Sequence, residues 1–379
     1  MDFKLNEQQQ LLRDGAQKLA RELFKDRAAR WDQNAEVPWE NIKLLGEQGY
    51  LALLIPEEYG GSGGNIMDLV LVLEQFGWAC VSTTMYVFSS NVHANRIAQL
   101  GTDAHKKKYL PRIATGEILP CHAMSEPQAG SDANRLRTSA VRDGDHYVVN
   151  GTKCWISRGA VSHVALVDVV FKDEEKSPKG LLIIDRDTPG FEIGRVESMM
   201  GHRGSPSTEL IFRDCRVPVG NRMAHGDFSA SLMSMSLSRC CNSAIALGVA
   251  QRAYDEAVAY VQEREAFGKH LSDFQGLRWM IADMMVKLDA ARLLIYRAAA
   301  NATAGFPSET EAAIAKTFAN EAALAVVSDA MQLFGANGYS AAYPMERLYR
   351  DVRGFAIAGG TTQIQRNLIA RKALGRRKY

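Results

Sequence analysis

A chain of 379 residues that is 46% hydrophobic and 23% charged carries enough apolar surface for a large core divided among more than one domain. Its 45 basic and 43 acidic side chains leave a net charge of +2, without the excess that binding a phosphate backbone demands, so nucleic acid is not an expected partner. The opening MDFKLNEQQQ, with Asp2, Lys4 and Glu7, lacks an apolar signal core, and no stretch of about 18 apolar residues occurs; an unanchored, cytoplasmic protein is expected.

In chain order, the region to about Thr115 reads as helices, with Leu11, Leu12, Ala16, Leu19 and Leu23 along one amphipathic face. Pro56 and the Gly60 to Gly64 cluster interrupt it; lacking the Lys-Ser/Thr of a phosphate loop and the GxGxxG spacing, the cluster reads as a turn before the next helix. From about Glu117 to Gly220 the pattern turns to short β-like runs: HYVVNG, KCWIS, HVALVDVVF, GLLIID and TELIF. Asn150-Gly151 predicts a hairpin turn, Asp187, Pro189 and Gly190 another turn, and Pro218 to Gly220 the end of the strands. Long helices follow, the clearest over Leu277 to Ala300 with Leu277, Met280, Ile281, Met284, Leu288, Ala291 and Ile295 as a stripe. The expected organisation is an α+β multidomain protein: an N-terminal helical domain over 1–117, a middle β domain over 118–222 and a C-terminal helical bundle over 223–379.

The six cysteines, Cys80, Cys121, Cys154, Cys215, Cys240 and Cys241, form no CxxC pair and read as buried thiols. The histidines follow no HExxH or zinc spacing, and no metal site is expected.

Several separated motifs carry chemistry. Ala123 to Asp132 (AMSEPQAGSD) and Lys153 to Ser157 (KCWIS) supply small hydroxyls, which hydrogen-bond compactly, and an indole, which offers a broad apolar face. Arg264 to Lys269 (REAFGK) and Phe274-Gln275 bring an arginine fork suited to phosphate oxygens. Gln332 to Gly338 (QLFGANG) and Ala356 to Gln365 (AIAGGTTQIQ) complete the set. Together and in this order, across essentially the whole chain, they resemble the acyl-CoA dehydrogenases.

That resemblance implies FAD as cofactor and an acyl-CoA thioester as substrate. It assigns Ser125, Ser131, Trp155, Ser157, Arg264, Phe267, Phe274, Gln275, Gln332, Gly335, Thr361, Thr362 and Gln363 to the cofactor, and Ser131, Arg239, Gly360 and Arg371 to the substrate side. It implies a homo-oligomer, a dimer of dimers in most relatives, because the grip on the ADP half crosses subunits, and an electron-transferring flavoprotein as electron acceptor. The family's base is a carboxylate either just before the C-terminal Gly-Thr or on a helix just before an arginine. Those places are held here by Gly359 and Ser238, so the catalytic residue stays unassigned. On the presumed pocket helix Thr83 to Asn95, His93 is the one titratable candidate; Cys240 and Cys241 follow Arg239, and Tyr86 and Phe88, if turned inward, shorten the acyl cavity.

Three readings stay open: a dehydrogenase with a non-standard base acting on a short or compact acyl-CoA, a redox-neutral enzyme like the 3-sulfinopropionyl-CoA desulfinases, and a non-catalytic acyl-CoA-binding flavoprotein. PWENIKLLGEQGY, MGHRGSPSTELIF, FQGLRWMIADM and FAIAGGTTQI resemble the desulfinase branch, but Thr83 to Phe88 holds no arginine for a sulfinate.

Overall fold

The structure, a computed structural model, describes residues 4–375; Asp2 lies outside them. Helix α1 (Glu7–Leu19) starts at a capping box in which Asn6 accepts from the Gln9 amide at 2.8 Å and the Gln9 side chain returns to the Asn6 amide. One π-helical turn, Ala20–Phe24, leads into α2 (Lys25–Gln33), followed by α3 (Trp39–Glu47). The glycine cluster turns as expected, Gly60 and Gly63 having φ of +82° and +59°, and Asn65 caps α4 (Ile66–Ala79). Helices α5 (Val81–Leu100) and α6 (Asp103–Ala114) complete the N-terminal domain. Nearly all of α5 is buried, which makes it a wall between layers rather than a surface helix.

The strands are β1 (Pro120–Ala123), β2 (Ser139–Asp143), β3 (His146–Ser157), β4 (Val164–Phe171), β5 (Lys179–Asp185), β6 (Phe191–Val196), β7 (Ser207–Pro218) and β8 (Arg222–Asp227). They form one sheet in the order β6-β7-β3-β2-β4-β5-β8, with β1 parallel beside β4. Two sequence expectations are corrected here. Asn150-Gly151 is no hairpin turn: β3 runs straight through it, and the reversal lies at Gly144, φ +62°, between β2 and β3. Gly151 instead sits at a register shift against β7, where an added Cβ would come 2.5 Å from Thr138 Oγ1, so the glycine serves close approach. The strands also do not stop at Pro218 to Gly220, because β8 continues to Asp227 and pairs with β5.

Helix α7 (Phe228–Glu263) opens the C-terminal domain; Asp227 accepts from the Ala230 amide at its cap. A ribbon of β9 (Glu265–Ala266) and β10 (Lys269–His270) leads to α8 (Gln275–Ala300), then α9 (Glu309–Phe334), α10 (Ala336–Tyr339), α11 (Met345–Phe355) and α12 (Thr362–Leu374). The stripe expected on α8 is buried at Met284, Leu288, Ala291 and Ile295. Helices α4 and α7 pack backbone to backbone: a Cβ on Gly248 would stand 2.1 Å from Glu74 O, and one on Gly77 2.7 Å from Ile245 O. One hydrophobic core therefore joins the N- and C-terminal helices, while the sheet has its own around Val149, Val167, Ile184 and Phe212. Among the described residues no helix is long and apolar enough to cross a membrane.

Candidate active site

The loop after β1 is fastened to β3 by a buried ion pair. Lys153 Nζ donates to Glu126 Oε1 at 2.9 Å and to Met124 O at 3.0 Å, and Glu126 also accepts from the Arg137 and Thr138 amides. Burial alone would raise the Glu126 carboxyl, but the Lys153 ammonium and these donors hold it below its ordinary value. The Cys154 amide donates to Ser125 O at 2.9 Å, bringing the expected hydroxyl loop against the KCWIS strand. The strand bulges between Lys153 and Ile156, and Trp155 adopts φ +59°, which swings its indole outward to 58% exposure. Trp155 is thus no core tryptophan; its face stands open, with Ser125 and Ser157 half-buried and Ser131 exposed.

A second group gathers where α7, α9 and the loop before α12 meet. Ser238 and Arg239 are both buried on α7. Arg239 Nη1 lies 3.9 Å from Glu309, which also binds Arg371 at 2.7 Å, so the two arginines assigned to the substrate side share one carboxylate. Arg239 Nε and Nη1 have no hydrogen-bond partner. Lys316, absent from the sequence expectations, is fully buried on α9 and donates to Phe355 O at 2.7 Å. Burial, reinforced by Arg239, brings its ammonium down to about 7. A Cβ on Gly359 would meet only Lys316 Cε, at 3.8 Å. Gly359 and Gly360 have φ of +71° and +90°, and Gln365 Nε2 ties down Gly360 O at 2.9 Å. Thr361 caps α12, leaving Thr362 buried and Gln363 exposed.

The third group surrounds α5. That helix extends past Asn95, and Arg96 adds a second titratable group that the narrower segment missed. His93 lies on the same face, and its ring centroid is 6.0 Å from that of His122 on β1. Burial first, then the neighbouring Arg96, His122 and Arg158, push His93 well below its ordinary value, which makes it a poor base. Asp168 on β4 accepts from Ser231 Oγ at 2.8 Å and lies 2.7 Å from His122 Nε2. Arg96 Nη2 donates to Ser238 Oγ at 3.3 Å, joining this cluster to the second group. The inward turn considered for Tyr86 is not seen: its hydroxyl donates to Gly204 O, and its ring belongs to the helical core. Phe88 faces the buried Arg158, 5.9 Å from its guanidinium. Cys240 and Cys241 are core residues with thiols raised by burial, and the Cys240 thiol is directed at Ile295 O.

The remaining expected residues form a separate patch. At the tip of the β9–β10 ribbon Phe267 adopts φ +53° and is 95% exposed, while Phe274 lies half-buried beneath Lys269. A cavity of about 390 Å³ is lined by Arg264 together with Gln332 and Gly335, so REAFGK and QLFGANG meet in space although they are far apart in the chain. Tyr260 stacks on Phe334 with ring centroids 4.1 Å apart and accepts from Asn337, which fixes that junction. Gln275 lies exposed at the start of α8. Among the described residues, no cluster of three or more His, Cys, Asp or Glu is arranged to hold a metal.

Family models match along the chain: "Acyl-CoA dehydrogenase, N-terminal domain" over residues 6–117, "middle domain" over 121–215 and "C-terminal domain" over 228–374. The chain is 38% identical to a short-chain-specific acyl-CoA dehydrogenase of Clostridium acetobutylicum, covering 98% of this chain and 99% of that one. It is equally 38% identical to a 3-sulfinopropanoyl-CoA desulfinase of Advenella mimigardefordensis, over 98% and 95%. The solved butyryl-CoA dehydrogenase of Megasphaera elsdenii superposes with a TM-score of 0.95 at 32% identity, covering 99% of this chain and 100% of that one. The chain belongs to the acyl-CoA dehydrogenase family.

Proposed function

We propose that the protein binds FAD and a short or compact acyl-CoA thioester and forms the α,β-unsaturated thioester without a carboxylate at either customary base position. The open indole of Trp155 beside the pinned Ser125 loop carries this reading, since the bulge and its left-handed backbone leave an aromatic face free to cover a flat ligand. Bound FAD would supply the acceptor for a hydride from the β-carbon. Ser125, Ser131 and Ser157 offer hydrogen bonds to its ring edge, and Thr361, Thr362 and Gln363 present the N-terminus of α12 to it. Arg264, Phe267, Phe274, Gln275, Gln332 and Gly335 would hold the ADP half from another subunit. The exposed Trp279, Met285, Val286 and Leu293 of α8 support a homo-oligomer, for which a dimer of dimers is the proposed form.

On the thioester, the backbone N–H of Gly359 survives the loss of a side chain and can polarise the carbonyl, a donor typically worth roughly 2.7–4 kcal/mol. Ser238 and Gly359 cannot take the α-proton. Lys316, close to Gly359 and lowered toward 7, is the nearest group able to hold a proton there. An electron-transferring flavoprotein is the proposed acceptor.

A second reading, redox-neutral release of an anionic leaving group, is favoured by the same absence of a carboxylate at both positions. Anaerobic mixing of FAD-loaded protein with saturated short-chain acyl-CoAs and with 3-sulfinopropionyl-CoA separates the two. Flavin bleaching with enoyl-CoA supports the first, and sulfite release from an unbleached flavin supports the second. Flavin binding without any thioester turnover would leave a non-catalytic binding protein.

A further inference from the structure

Arg96 is a charged group that this chemistry leaves without a task. Its side chain is 1% exposed, Nη2 reaches only the Ser238 hydroxyl, and Nε and Nη1 have no hydrogen-bond partner. Asp168, the carboxylate whose charge acts on Arg96, is already engaged by Ser231 and His122, and no carboxylate forms an ion pair with Arg96 among the described residues. Burial lowers its guanidinium only to about 10, partly offset by Asp168, so it stays charged at neutral pH. His93, on the same face of α5, has an unpartnered Nδ1, and Arg158 brings a second buried guanidinium with an unpartnered Nε. A buried cation without a counter-charge costs several kcal/mol, a cost removed when an anion arrives. The location names the anion's carrier: Arg96 touches Ser238, which is next in the chain to Arg239, a residue assigned to the substrate side.

We infer that Arg96 receives an oxyanion carried at the far end of the acyl chain, making the protein selective for acyl-CoA thioesters that bear a carboxylate or a group of the same kind. The inference rests on the reading that an acyl-CoA occupies this site. Guanidinium suits the role through its planar fork of donors, and Arg96 approaches from a position on α5 well after Thr83 to Phe88, where no arginine occurs.

The test compares equilibrium binding of succinyl-CoA, 3-sulfinopropionyl-CoA and butyryl-CoA to the FAD-loaded oligomer, by calorimetry and by perturbation of the flavin band. Succinyl-CoA is expected to bind at least about 30-fold more tightly than butyryl-CoA, the lower end for a buried hydrogen-bonded charge pair. Arg96→Met should erase that preference, and Arg96→Lys should keep part of it. A sulfinate bound more tightly than the carboxylate would identify the oxyanion without altering the role of Arg96. Equal binding of charged and neutral thioesters by the unaltered protein, which needs no variant to fold, would overturn the inference while the acyl-CoA reading stands. Equal weakening of all three by Arg96→Met would mark Arg96 as a structural partner of Asp168 and overturn it too. Failure of every CoA thioester to bind would instead remove the acyl-CoA reading and this inference with it.

Discussion

Placing a carboxylate at position 359 is the most direct trial of the proposed chemistry. Gly359 has φ +71°, where a side chain costs roughly 1–2 kcal/mol, but the space is open: the ideal Cβ meets only Lys316 Cε, at an ordinary contact distance of 3.8 Å. Gly359→Glu should therefore fold, with a melting temperature lowered by about 2–8 °C if the helical domain melts like others of its size. The new carboxyl would lie beside Lys316, itself under the influence of Arg239, and these cations favour the ionised form that a base requires. General-base assistance is typically worth about 10²- to 10⁴-fold, so flavin bleaching by a saturated short-chain acyl-CoA should accelerate by that order. Anaerobic stopped-flow reduction of the FAD-loaded variant, read against the unaltered protein, measures it. A folded, flavin-loaded, thioester-binding variant that bleaches no faster would refute the idea that Gly359 marks an emptied base position.

Glu126→Gln should lower stability by about 3–5 kcal/mol by stranding the Lys153 ammonium, and should reduce flavin retention as the Ser125 loop loosens; melting curves and flavin content report both, and recovery in Glu126→Gln/Lys153→Met would isolate the buried charge as the cause. Trp155→Gly removes an exposed side chain and relieves a left-handed residue, so apo-protein stability should change by less than about 1 kcal/mol while FAD affinity falls; unchanged FAD titrations would deny the indole its place against the flavin. Lys316 gives a pH signature. Its folded value of about 7 lies below the ordinary 10.5, so the unfolded chain binds the extra proton between those limits and stability rises with pH across them. The cost is fully present below about 7, and the stability of the unaltered protein relative to Lys316→Met should climb by up to about 1.4 kcal/mol per pH unit above it. Parallel stability curves for the two would show that Lys316 titrates normally.

The order of helices, strands and helices was legible because periodicity is local: the α8 stripe and the alternating runs of the sheet each declare themselves within a dozen residues. The motifs that mark the family were legible for the same reason, being short and in order. What escaped was decided between distant segments. Asn150-Gly151 has the local chemistry of a turn, yet pairing of β3 with β7 overrides it, and the glycine answers the closeness of Thr138 instead. Trp155 offered an aromatic face in the sequence, but the bulge that turns it outward arises from the pairing of β3 with β7. Lys316 and Arg96 look in sequence like ordinary polar positions on helices. Their burial beside Phe355, Gly359 and Ser238 arises from the packing of α5, α7, α9 and the loop before α12, contacts between segments far apart in the chain. Local pattern sufficed for most elements and for the family, whereas which charges lose water and partners follows from tertiary packing, because desolvation depends on neighbours that no local pattern names.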